Sequence, residues 1–291
     1  MAASATATPS TPDVAAAWRF PNRATPPGSS AYYSVRLAPS GLRDDLAAVL
    51  AWHHEVRAVL YSVSDPGVAA AKLQWWAEEL GRTSTGEARH PLSLALALVM
   101  TRHQLPPPAF LRLTEQTQSD LAGQAPTDQS ALEAGCEADL GTLFELLARC
   151  HGITDAEPLT AARRLGGFCA QVYLIRDSGM HLRRGRPFLP ADRLAEQGLS
   201  HQALAGPEHS GQLPGLLAES AAAALTYRNQ GAASPADLPS SLPSSLRVRG
   251  RILAALLAEL KAEEFDVARC RVGLTPLRKL WLGWREARRG D

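Results

Sequence analysis

The sequence carries almost no net charge, few cysteines and no long apolar run, and each shortage excludes a class of function. Its 30 lysines and arginines nearly balance 29 aspartates and glutamates, giving a formal net charge of +1. No global field therefore recruits nucleic acid or acidic lipid, and any basic function has to be local. The four cysteines (Cys136, Cys150, Cys169 and Cys270) lie far apart with no CxxC pair. That spacing fits buried thiols in a reducing compartment better than a zinc site or a disulfide frame. No apolar run approaches the ~18 to 20 residues of a membrane span, so contact with a bilayer would be peripheral. The start, MAASATATPSTPDVAAAW, has no charged segment before an apolar core and no arginine before Arg19. It reads as a disordered tail over residues 1–17 rather than a secretory signal or transit peptide, and the protein as cytoplasmic or membrane-peripheral. Alternating β-branched runs bounded by turns are also missing, so no sheet is expected.

What is present is helical. Hydrophobic residues make up 45% and charged residues 20% of the chain, an ordinary globular balance with a sizeable core. The ordered part begins near Trp18, with residues 18–31 an extended lead-in. Ser40 then caps a helix from Gly41 or Leu42 to about Tyr61, in which Leu46, Val49, Leu50, Val56 and Leu60 recur at helical spacing. Asp44 and Asp45 sit in its first turn, where the dipole favours anions. Asp65-Pro66-Gly67 breaks the chain before a helix from Val68 to Leu80. Leu92 to Thr101 is so continuously apolar that burial on most sides is expected. Further helices follow from Pro106–Pro108, over 129–152, from Thr160 to Leu182, over 213–229 and 245–267, and from Thr275 to Arg288. Leu199 to Gly215 reads as loop, and GAASPADLPSSLPSS as a mobile connection. Leu277, Leu280, Trp281 and Trp284 are expected inside. The prediction is an all-α single domain over 18–288 with eight to ten helices.

The chemistry concentrates in RDSGMHLRRGRPFLP, from Arg176 to Pro190. Asp177 and His181 are one helical turn apart on the same face. Arg183, Arg184 and Arg186 surround Gly185, and Pro187 and Pro190 end any helix. Arginine supplies planar, permanently charged donors suited to phosphate. A plain alternative is a helix C-terminus made basic by its dipole.

YYSVRLAPSGLRDDLAAVLAWHHEVR, KLQWWAEEL and LIRDSGMHLRRGRPFLPADRL together resemble the squalene/phytoene synthase family from about Ser30 to Arg288. RDxxxxxRRGRxFLP is the most specific segment. The resemblance implies the all-α isoprenoid synthase fold, a helical bundle around a central cavity. It also implies two aspartate-rich motifs on facing helices that hold Mg²⁺ against prenyl diphosphates joined head to head. Carboxylates at i and i+4 can share hard cations, which neutralise the departing diphosphate.

Most of those carboxylates are missing. Where the family's first motif has aspartates, this chain has Arg57, Ala58 and Tyr61, and the upstream phosphate-binding arginine falls on His54. In the second motif Asp177 matches, but the next aspartate falls on His181, and preceding polar positions become Ala170 and Tyr173. The family's N-terminal phosphate-contacting histidine falls on Pro27. A single carboxylate cannot organise a magnesium cluster, so no metal and no cofactor are expected unless activity survives, which would need Mg²⁺ and Asp177. Asp177 is expected to pair with an arginine, Arg57 being the one across the cavity. EVRAVLYSVSDPGVAAAKLQWWAEEL and EEFDV…LTPLRKLWLGWREAR are similar to a divergent branch of the family that includes a mitochondrial complex I assembly factor. Two readings follow. One is a non-catalytic or altered accessory or assembly factor that binds a prenyl diphosphate, lipid or respiratory-complex partner through Arg57, Tyr61, Tyr173, Arg176, Asp177, His181, Arg183, Arg184 and Arg186. The other is an active head-to-head prenyltransferase with unusual metal ligands. A third needs only a scaffold whose cavity is filled, with Tyr61 and Tyr173 as plugs.

Overall fold

The computed structural model describes residues 16–230, 238–267 and 271–289, and they are helices joined by turns with no strand among them. The expected tail at 1–17 falls almost wholly outside these residues, as does most of the connection expected to be mobile. A 3₁₀ turn, Ala16–Trp18, leads to α1 (Ser30–Arg36). The lead-in is thus shorter than expected, because Ser29 accepts from the Tyr32 amide and caps α1. Ser40 caps nothing; it opens a 3₁₀ turn, Ser40–Leu42, and α2 (Arg43–Ser62) follows without a side-chain cap. The α2 residues Leu46, Val49, Leu50, Val56 and Leu60 are all buried, as their spacing predicts. Asp45 is buried too, and Arg102 and His103 reach it at 2.8 and 2.7 Å.

Asp65 caps α3 (Pro66–Thr85), which runs a turn beyond the expected end to the left-handed Gly86. In α4 (Pro91–His103), Leu92, Leu96 and Val99 are buried, but Leu94 and Leu98 stand 46% and 65% exposed. Unbroken apolarity here marks a helix with one packed side, not burial on most sides. After α5 (Pro107–Ala122) comes one long rod in three parts: α6 (Gln129–Cys136), a π-helical turn at Glu137–Gly141, and α7 (Thr142–Cys150). The helix expected over 160–182 divides at Asp177 into α8 (Ala156–Arg176) and α9 (Ser178–Arg183). A short helix α10 (Ala191–Glu196) follows, and α11 (His201–Leu204) and a 3₁₀ turn at Pro207–Gln212 lie where loop was expected. The chain ends with α12 (Leu213–Asn229), α13 (Ser244–Ala262) and α14 (Pro276–Ala287).

The centre is α8, which packs on α7, α12, α13 and the π-helical turn. Gly166 explains how it comes so close. A Cβ there would stand 2.2 Å from the Leu140 carbonyl oxygen, so only glycine lets the two backbones touch. Tyr227 closes over Gly167 and donates to Glu137 at 2.6 Å. These two glycines, poor helix formers, are the contact surface of α8.

One expectation fails at the C-terminus. Leu277, Leu280, Trp281 and Trp284 are 79%, 43%, 50% and 46% exposed, and α14 packs through its opposite face. There Gly283 lies against Leu37 and Val248, and buried Glu286 meets Arg251 at 2.9 Å and Arg247 at 3.4 Å. A buried ion pair, not the apolar stripe, fixes this helix.

Candidate functional site

Two polar clusters form where the RDSGMHLRRGRPFLP segment meets the surrounding helices. The first belongs to α2. Arg57 does not reach Asp177; it bonds Asp120 at the end of α5 and lies 3.6 Å from Asp139 in the π-helical turn. Asp139 also meets His53 Nε2 at 2.6 Å. Burial works against the charge on Asp139, but Arg57 and His53 outweigh it and hold the carboxyl down at about 2. Arg57 is likewise held charged, its desolvation exceeded by Asp139 and Asp120. Beside this pair Tyr61, 39% exposed, has the guanidinium groups of Arg184 and Arg186 over its ring at 5.2 and 4.9 Å. Arg186 also donates to the Leu60 carbonyl. Tyr61 is thus a stacking platform at the rim and not a plug inside.

The second cluster surrounds Asp177. Arg176 Nε donates to it at 2.9 Å with a second bond from Nη2, and Arg271 approaches at 3.4 Å. The carboxylate therefore pairs with an arginine as expected, but with its own neighbour. The helix break places it there: Asp177 caps α8 at φ −96°, ψ 10°, turning its side chain back along Arg176. Tyr173 bonds Ser30 at 2.6 Å, its ring under Arg176 at 4.6 Å. His181 is buried, its Nδ1 without a partner among the described residues and its ring 5.7 Å from that of Phe188. Burial lowers its pKa, with Asp177 opposing and Arg186 and Arg57 adding to the effect. Arg183 is exposed and joins neither cluster.

Between the clusters lies a residue the sequence reading passed over. Arg249 of α13 is 6% exposed, lies 5.3 Å from the Phe144 ring and 6.0 Å from that of Tyr173, and its Nε and Nη1 have no hydrogen-bond partner among the described residues. Unbonded buried guanidinium groups are costly, which makes this one a ready donor to an anion or to ordered water. Asp120, Asp139, His53 and Arg271 were missed as well. A signal existed for two of them. Asp139 interrupts the inward stripe Cys136, Leu140, Leu143, Leu147, and Arg249 interrupts Leu246, Leu253, Leu257. The π-helical turn, a form that recurs at functional sites, left no mark in composition.

Among the described residues, no group of three or more His, Cys, Asp or Glu side chains could hold a metal ion. A cavity of about 10 Å³ lies between α8 and α12 against Phe188 and Leu189, room for about one water molecule beside Gln171. No helix among the described residues is long and apolar enough to cross a membrane.

The model of the squalene/phytoene synthase family matches residues 24–279. Complex I assembly factor 6 of mouse is 24% identical over 172 residues, 59% of this chain and 52% of that protein. The 15-cis-phytoene synthase of Synechococcus elongatus is 25% identical over 185 residues, 60% of each. The chain thus spans little more than half the length of these curated relatives. A dehydrosqualene synthase structure matches with a TM-score of 0.73 at 18% identity, covering 89% of this chain and 91% of that one. A squalene synthase from Alicyclobacillus acidocaldarius matches with a TM-score of 0.64 at 20% identity, covering 84% and 92%. The helical architecture is that of these isoprenoid synthases.

Proposed function

We propose that this chain, which belongs to the squalene/phytoene synthase family, works by binding rather than by prenyl transfer. In this reading it is an accessory or assembly factor that holds a molecule with an anionic head and an apolar tail. The observation that carries the reading is the engagement of Asp177 by Arg176 and Arg271, while Arg57, Ala58 and Tyr61 stand where the facing carboxylates are needed. Mg²⁺ relies on several oxygen ligands at near-octahedral geometry, and this donor set does not fit it. The residues instead favour anions. Arg184 and Arg186, ordered on Tyr61, offer planar donors at the rim, and Arg249 offers unbonded ones inside. Guanidinium groups grip phosphate oxygens bidentately without metal. A prenyl or acyl tail would lie in the open groove between α3 and α5, lined by Ala70, Ala71, Leu121 and Ala122. The assembly-factor relatives support a respiratory complex as the protein partner.

A second reading, an active head-to-head prenyltransferase, is favoured by Asp177, the intact RRGRxFLP segment and the phytoene synthase relatives. Titration calorimetry with a farnesyl diphosphate analogue separates the two. The binding reading expects equal affinity in EDTA and in Mg²⁺, weakened by Arg184→Ala with Arg186→Ala, and no squalene or phytoene from prenyl diphosphates. Binding that requires Mg²⁺ and is lost on Asp177→Asn, together with product, would establish the enzyme.

A further inference from the structure

The C-terminal helix α14 is amphipathic the wrong way round for a packed helix. Its apolar stripe (Leu277, Leu280, Trp281, Trp284) faces outward, while Gly283 and the ion-paired Glu286 face the body of the protein. A helix normally buries such a stripe. The exposed charges on α14 and its C-cap are all basic: Arg278, Arg285 and Arg288 are exposed, Arg278 being paired with Glu259 of α13 at 2.5 Å, and the helix's one acid, Glu286, is 5% exposed and held by Arg251. Two of these cations are tied to the stripe itself. The Arg285 guanidinium lies 4.8 Å over Trp281, and that of Arg288 lies 4.2 Å over Trp284. On the neighbouring helix α1, Arg36 is also exposed.

From this geometry we infer that α14 is an interfacial helix that seats the protein on an anionic bilayer surface. The composition selects that occupant. Tryptophan sits at the level of lipid head groups, with its indole partly in the apolar layer. Arginine beside it pairs with lipid phosphate, and leucine reaches the acyl boundary. A protein partner would be matched by alternating charges, whereas a sheet of anionic head groups matches a helix rimmed by one sign. The rigid link through Glu286 means that the whole body, and not a tethered helix, is oriented on the surface. This inference does not depend on what the interior binds.

Vesicle flotation of the full chain tests it, with phosphatidylcholine alone and with phosphatidylglycerol added. The protein should float with the anionic vesicles, less with the neutral ones, and less at raised salt. Trp281→Ala with Trp284→Ala, and separately Arg285→Glu with Arg288→Glu, should each weaken binding on the order of tenfold. Both pairs alter exposed side chains, so thermal melting monitored by circular dichroism should match the parent and exclude misfolding. Failure to float, or flotation that neither pair changes, overturns the inference. So does a dimer in light scattering that the Trp281→Ala, Trp284→Ala chain cannot form, since a second copy would then cover the stripe.

Discussion

Removing the Arg57 guanidinium should expose what Asp139 does to the fold. Arg57→Met keeps the stem and deletes the charge, leaving Asp120, one-third exposed, to return to water and Asp139, 15% exposed, with His53 in contact and the Arg249 charge farther off. Breaking a buried pair by taking one partner typically costs about 3–5 kcal/mol. Asp139 has an escape, however, because it can take up a proton. In the parent its carboxyl sits at about 2 against 3.8 unperturbed, a depression that contributes stability above pH 4 and loses it as pH falls towards 2. In the variant burial drives the carboxyl up against His53 and Arg249 only, and an acid forced fully neutral at pH 7 would cost at most about 4 kcal/mol, falling by about 1.4 per unit of pH. The loss should therefore shrink by up to roughly 2–3 kcal/mol between pH 7 and 5. Asp139→Asn in the same chain should recover most of it at pH 7. Urea unfolding followed by circular dichroism at several pH values reads the effect directly. An equal loss at pH 5 and pH 7, or no recovery with Asp139→Asn, would mean that packing and not a stranded charge holds α2 to the π-helical turn.

Gly166→Ala should destabilise by about 2–4 kcal/mol, since its Cβ meets the Leu140 backbone at 2.2 Å. Gly81→Ala, on an open helix face, should stabilise by up to about 1 kcal/mol, and denaturant midpoints compare the pair. His151, bonded to Ser245, is lowered to about 4 by burial and by His103. Its folded pKa is depressed, so stability is complete above pH 6.5 and falls as pH drops from 6.5 towards 4, by about 2 kcal/mol after allowance for its partial exposure; a flat melting temperature across that window would refute this. Cys136, Cys150 and Cys169 are buried thiols with raised pKa. They should resist iodoacetamide in the native protein and react after unfolding, as read by peptide mass spectrometry.

Helix positions were legible because capping and breaking residues are local: Asp65-Pro66 and the Pro107 start of α5 needed no tertiary knowledge. The split at Asp177 was not legible, since no proline interrupts the run from Thr160 to Leu182 and the break shows only in the backbone at Asp177. The outward stripe of α14 reads in sequence like any core stripe. Only the buried Glu286, whose partners lie some 35 residues away in α13, reveals which side faces in. At the site, residue identity showed which carboxylates were missing. It could not show that Arg57 had been claimed by Asp120 and Asp139, because those acids come from helices distant in the chain.

That last arrangement bears on ancestry. If Arg57 stands where a metal-binding aspartate once stood, the change cannot be undone by a single step. Arg57→Asp would bring a third carboxylate against Asp120 and Asp139, with only His53 in contact to offset them. Asp177 would still be held by Arg176. Return to metal chemistry would require coordinated changes on three helices, each harmful alone. The arginine therefore acts as a ratchet, and lineages that acquired it with its acidic partners would be expected to keep the fold while drifting further from the reaction.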